Sequence, residues 1–191
     1  MSEFELITIT FSFVLGLGVA QILGAPSAAL RNRHSMALHW MPLGFAASIF
    51  LFHIQYWFVL FDYDANLISE WTWWTYGPFL GLAVLLFLSG GVVLPTPGSD
   101  AGDSLIHDFE QRGKLSLVFL AAYILAWVPA NAWSEGTWFT SDVWLNLGLV
   151  GLLTVTYFAS SRRLQSAATG LFLTAQGYGL LFVWATPTDL G

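Results

Sequence analysis

The sequence predicts an all-α integral membrane protein: a bundle of six transmembrane helices, with the N-terminus and the C-terminus both outside. Three observations lead there. Only 9% of the 191 residues are charged and 56% are hydrophobic, whereas an ordinary soluble domain carries about 25% charged residues. The apolar residues fall into six runs of roughly 18–25, each long enough to cross a hydrocarbon core of ~30 Å as a helix. All six basic residues sit in alternate connections between those runs.

Span one covers residues 4–30. Its leading region is acidic (Glu3, Glu5) where a cleavable signal peptide needs positive charge, so it is expected to stay as a span. Its second half, GLGVAQILGAPSAALRNR, sets Gly16, Ala20, Gly24 and Ala28 at intervals of four, which stacks them along one side of a helix. Helices in lipid have no hydrophobic drive to pair, so close backbone approach at small residues matters more than in water. The strip is therefore expected to be a helix-packing surface, inside the bundle or against another subunit. Gln21 lies at its edge, placed to bond across the contact.

Span two covers residues 36–61 and holds His39, His53 and Gln55. His53 and Gln55 are about 200° apart around the helix, so one narrow pathway cannot take both. Gln55, beside Gly44 and Ser48, is expected to be buried and hydrogen-bonded. His53, beside Leu43, Ala46, Phe50 and Trp57, is expected to be neutral and bonded to a hydroxyl or carbonyl. Span three, residues 71–94, opens on Trp71, Trp73 and Trp74 and carries Gly77 and Gly81 at the same small-residue interval. Spans two and three are joined by DYDANLISE.

PTPGSDAGDS separates spans three and four. In the following DSLIHDFEQRG, Leu105, Ile106 and Phe109 alternate at helical spacing with Asp103, Asp108, Glu110 and Arg112. This pattern suggests a short amphipathic helix on the membrane surface, running into span four. It is either a docking site or the wetted start of that span. Span four covers residues 115–133 and span five 143–161, the latter with Asn146. Span six, 164–186, has Ser166, Gly170 and Thr174 at intervals of four, and Gln176. Ser161-Arg162-Arg163 is almost the whole turn between the last two spans, so they should be antiparallel neighbours. No connection is long enough for a soluble domain, and residues 1–191 are expected to form a single transmembrane domain.

Arg31 and Arg33, Arg112 and Lys114, and Arg162 and Arg163 occupy the first, third and fifth connections. Cytoplasmic loops collect such residues, which places both termini outside, in a bacterial cytoplasmic (inner) membrane. Glu3, Glu5, Asp62, Asp64, Glu70, Glu135, Asp142 and Asp189 then lie on the outer side. Trp71, Trp73, Trp74, Trp133, Trp138 and Trp144 lie near the outer ends of spans, where amphipathic rings settle.

Chemistry has few footholds. A net charge of −6 argues against nucleic acid as a partner, and the absence of cysteine removes disulfides and thiolate metal sites. There is no phosphate-binding glycine loop, no GxSxG elbow and no HExxH helix. No carboxylate lies near the middle of a span, where coupled carriers place one; the intramembrane polar groups are Gln21, His53, Gln55, Asn146 and Gln176. His39 and His53 are about 21 Å apart along one helix face, a spacing similar to that of haem-ligating histidines in the cytochrome b family. A haem would need a second ligand from another helix. His107 could face His39, and nothing could face His53.

FELITITFSFVLGLGVAQIL, a proline-terminated third span and DSLIHDFEQR together resemble a group of small six-helix bacterial inner-membrane proteins of unassigned function. The resemblance implies no activity and no catalytic residues. The expectation is a non-enzymatic protein without cofactor or metal, acting through helix packing as a homo-oligomer or as an accessory or scaffold subunit beside another membrane protein. A small solute or ion pathway lined by spans one, two and six is the alternative. A haem- or quinone-linked redox subunit, with His39, His53 and His107 as haem candidates, is the third.

Overall fold

A computed structural model describes residues 3–31, 38–66, 68, 71–95, 104–134 and 136–183; side chains at 3–6, 25–31, 62, 64–66, 133 and 134 lie outside that description. The long helices are α1 (Glu3–Arg31), α2 (Trp40–Asn66), α3 (Trp73–Val93), α5 (Leu115–Ser134), α6 (Ser141–Phe158) and α7 (Arg162–Tyr178). A short α4 (Leu105–Asp108) continues through a π-helical turn (Phe109–Gly113), and a second π-helical turn (Gly179–Val183) follows α7. Six helices are long and apolar enough to cross a membrane, and among the described residues there is no β-strand. Contacts divide the chain into two compact units, Met1–Leu120 and Ala121–Gly191, with α5 running from one into the other.

In the first unit α1 and α3 run parallel, because Phe11 meets Tyr76 near one end and Ile22 meets Gly90 near the other. The helix α2 runs antiparallel to α1: Phe11 packs on Tyr56, and further along α1 Gly18 meets His53, which lies earlier in α2. The buried stripe of α1 is Phe11, Leu15, Gly18 and Ile22, and that of α2 includes Met41, Phe45, Ile49, Phe52, Tyr56, Leu60 and Tyr63. Both follow the spacing of three and four that one face of a helix requires. Their opposite faces are also apolar: Ile9, Phe13, Leu17, Ile54 and Phe58 are exposed. Meanwhile Ser48, His53, Ser89 and Ser116 are buried. Polar groups inside and bulky apolar groups outside suit a hydrocarbon solvent, in which only polar groups need shelter.

The short amphipathic helix expected before span four is present as α4 and the π-helical turn that follows it. Its apolar face packs on the bundle: Leu105, Ile106 and Phe109 are all buried, Phe109 to 3% exposure. The Phe109 ring stacks on Phe45 of α2 at 5.7 Å and 10°. An amphipathic pattern states that one face is apolar and is silent on whether lipid or protein covers it. Gly113 ends the π-helical turn because space demands it: a Cβ there would lie 2.6 Å from Phe109 Cδ2 and 3.2 Å from the Val93 carbonyl. His107, Gln111 and Arg112 form the exposed side. Ser89 Oγ donates to the Ser116 carbonyl at 3.0 Å, tying α3 to the start of α5.

In the second unit α6 and α7 pack as a helical hairpin. Thr140 caps α6 by accepting from the Val143 amide at 3.3 Å, and Gln165 Nε2 donates to the Ala159 carbonyl just beyond its other end at 2.8 Å. The facing stripes are Val143, Asn146, Leu149, Leu153 and Thr156 on α6, and Gln165, Ala168, Thr169, Phe172 and Gln176 on α7.

Candidate functional site

His53 is fully buried, at 0% exposure near the middle of α2. Its Nδ1 lies 2.8 Å from the Ile49 carbonyl one turn earlier. A carbonyl can only accept, so Nδ1 carries the proton and a neutral ring presents a bare lone pair at Nε2. That Nε2 has no hydrogen-bond partner. It points at Gly18 of α1, and an added Cβ there would collide with it. The ring therefore occupies a notch that exists because residue 18 lacks a side chain.

This geometry does not fit haem. A porphyrin bound through Nε2 would have to occupy the space held by the α1 backbone at Gly18. The other two candidates have local roles: His39 Nδ1 accepts from the Met41 amide at 3.3 Å, satisfying a donor at the start of α2, and its ring lies over Trp40. His107 Nε2 pairs with Gln111 Nε2 at 2.9 Å on the exposed side of its own turn. No group of three or more His, Asp or Glu able to hold a metal is found among the described residues.

The intramembrane amides occupy separate places. Gln21 Oε1 lies against Gly91 of α3, 3.0 Å from where a Cβ would stand. Gln55 Oε1 is buried but has no hydrogen-bond partner, contrary to the expectation that it would be bonded. Asn146 and Gln176 are buried on the facing stripes of α6 and α7. Within the first unit, Gln21, His53 and Gln55 do not line a shared path.

The small-residue strip of α1 makes no close contact inside the described bundle. Gly16 and Ala20 are exposed and Gly24 half-exposed, and added Cβ atoms at Gly16 and Gly24 would meet nothing within 4 Å. The Ala28 side chain lies outside the described residues. Gly81 and Gly170 are equally open, Gly77 meets only its own helix's Trp73, and Ser166 is half-buried. The internal close contacts are made by Gly18, Gly90 and Gly91, which the interval of four passes over. Bulky Phe11, Leu15 and Ile22 turn the Gly18 side inward, because large side chains gain more from packing than small ones. The signal available in the sequence was the SGG tripeptide of span three, together with a glycine set among large residues in span one.

No family model matches the chain, and no curated protein and no solved structure matches it either.

Proposed function

We propose that this multi-pass protein of a bacterial inner membrane has no catalytic activity and works by helix association, as a homo-oligomer or an accessory subunit. The observation behind this is the outward position of Gly16, Ala20 and Gly24, which leaves a strip of nearly bare backbone on α1 with nothing against it among the described residues. In lipid, such a strip is suited to close approach by another helix. Further support comes from the interior of the first unit, where His53 is wedged into a closed notch and the named polar groups form no common path.

The chain contains no cysteine, so single-cysteine variants report contacts cleanly. Ala20→Cys and Gly24→Cys should form covalent dimers in oxidised native membranes, while Phe58→Cys, on an exposed apolar face of α2, should not. Gly24→Leu should lower the mass of the particle in native lipid and leave the thermal stability of the single chain unchanged. Absence of strip cross-links together with an unchanged mass for Gly24→Leu would overturn the proposal.

A further inference from the structure

An open cleft of about 310 Å³ lies where the start of α1 meets the start of α3, lined by Ile7, Thr10, Trp71, Thr72, Trp73 and Tyr76. Its volume falls at the lower end of small-molecule sites. The rings are held by further aromatic contacts: Tyr76 packs on Phe11 at 5.5 Å, and Trp71 and Phe79 meet in a T-shaped pair at 5.8 Å. Trp73, at 72% exposure, stands 6.3 Å from Tyr76 and has a free face. Thr10 and Thr72 add hydroxyl groups beside the rings.

Charge at this end of the unit has one sign. Residues Glu3 and Glu5 begin α1, Asp62 and Asp64 fall in the last turns of α2, and among the described residues no lysine or arginine belongs to that end. Aromatic faces attract cations through the ring quadrupole, tryptophan most strongly, and an acidic sequence at the start of α1 and the end of α2 favours cations over anions at this end. Exposed Phe13 and Leu17 lead from the cleft along α1 toward the middle of the helix, an apolar track of the kind an acyl chain follows.

We propose that this cleft binds a substituted ammonium group, supplied by the headgroup of a membrane lipid or by a free organic cation. The test has two arms on the full-length protein. In the first, protein offered equimolar phosphatidylethanolamine and phosphatidylglycerol is examined by native mass spectrometry. The expected result is enrichment of the ammonium lipid, reduced about two- to fivefold in Trp73→Leu, as loss of one cation–π ring implies. Trp74→Leu serves as the control, since Trp74 is 86% exposed and outside the cleft; it should leave the enrichment intact. Trp71→Leu provides a second removal from the cleft. In the second arm, tetramethylammonium is compared with sodium at equal ionic strength for its effect on thermal stability. Stabilisation by tetramethylammonium that Trp73→Leu abolishes, without lipid selectivity, supports the site and identifies a free cation as its ligand. No preference in either arm, or equal losses in Trp73→Leu and Trp74→Leu, would overturn the proposal.

Discussion

The notch at Gly18 can be tested by adding one methyl group. In Gly18→Ala the new Cβ would collide with His53 Nε2 and approach Cδ2 at 3.1 Å and Cε1 at 3.4 Å. The imidazole has little freedom to retreat, because Nδ1 is held by the Ile49 carbonyl at 2.8 Å and the side chain is fully buried. Overpacking of this kind costs about 1–3 kcal/mol. Alanine also replaces glycine inside a helix, which returns about 1 kcal/mol. The net expectation is a loss of about 0–2 kcal/mol at position 18. Gly16→Ala is on the same helix, meets nothing within 4 Å and receives only the helical gain. The two variants should therefore differ by about 1–3 kcal/mol, measured by reversible unfolding in mixed micelles. His53→Ala empties the space that a methyl at position 18 would fill, so the double variant should be more stable than the sum of the single losses, with a coupling of about 0.5–3 kcal/mol. Equal stability of Gly18→Ala and Gly16→Ala, with additive behaviour in the double variant, would refute the notch.

Phe109→Ala should cost about 3–5 kcal/mol in the same unfolding assay, because its ring is buried on Phe45; a small loss would mean that the apolar face of α4 is not packed on α2. Gln165→Ala removes the bond to the Ala159 carbonyl and should cost about 0.5–1.5 kcal/mol, whereas Leu164→Ala, on the exposed side of the same turn, should cost less. Reporter fusions after Asn66 and at the C-terminus should read as external, and one after Gly102 as cytoplasmic; a cytoplasmic C-terminus would reverse the orientation inferred from the six basic residues.

The spans were legible because length and hydropathy accumulate over some twenty residues, and errors at individual positions cancel. The sides of the spans were not. In α1 and α2 both faces are apolar, so periodicity cannot say which one turns inward; Phe13 and Phe11 are equally hydrophobic, yet one is exposed and the other buried. The difference lies in shape complementarity with α2 and α3, a property of three helices that no single helix carries. Gly18 illustrates the point: its role depends on His53 thirty-five residues away. The aromatic cleft was half visible, since Trp71 and Trp73 read as interfacial rings. Their pairing with Ile7 and Thr10 needed the parallel packing of α1 and α3.

α7 behaves differently, and the difference explains how so polar a segment can cross a membrane. Its buried stripe carries Gln165, Thr169 and Gln176, while Leu164, Leu171 and Tyr178 are exposed. An unsatisfied polar group in hydrocarbon costs several kcal/mol, so a lone α7 would be a poor span. Packed on α6 it hides that stripe, and much of the remaining demand is met by backbone carbonyls: Thr169 Oγ1 donates to Gln165 O at 2.7 Å and Thr156 Oγ1 to Leu152 O at 2.9 Å. Arg162 and Arg163 begin α7 and are exposed, and drawing either to the bilayer centre would cost about 2.5–3.5 kcal/mol. The turn is thus pinned to one side, while each of the two helices shelters the polar groups of the other. For α7, it is the α6–α7 hairpin rather than the helix alone whose polar groups are compatible with lipid.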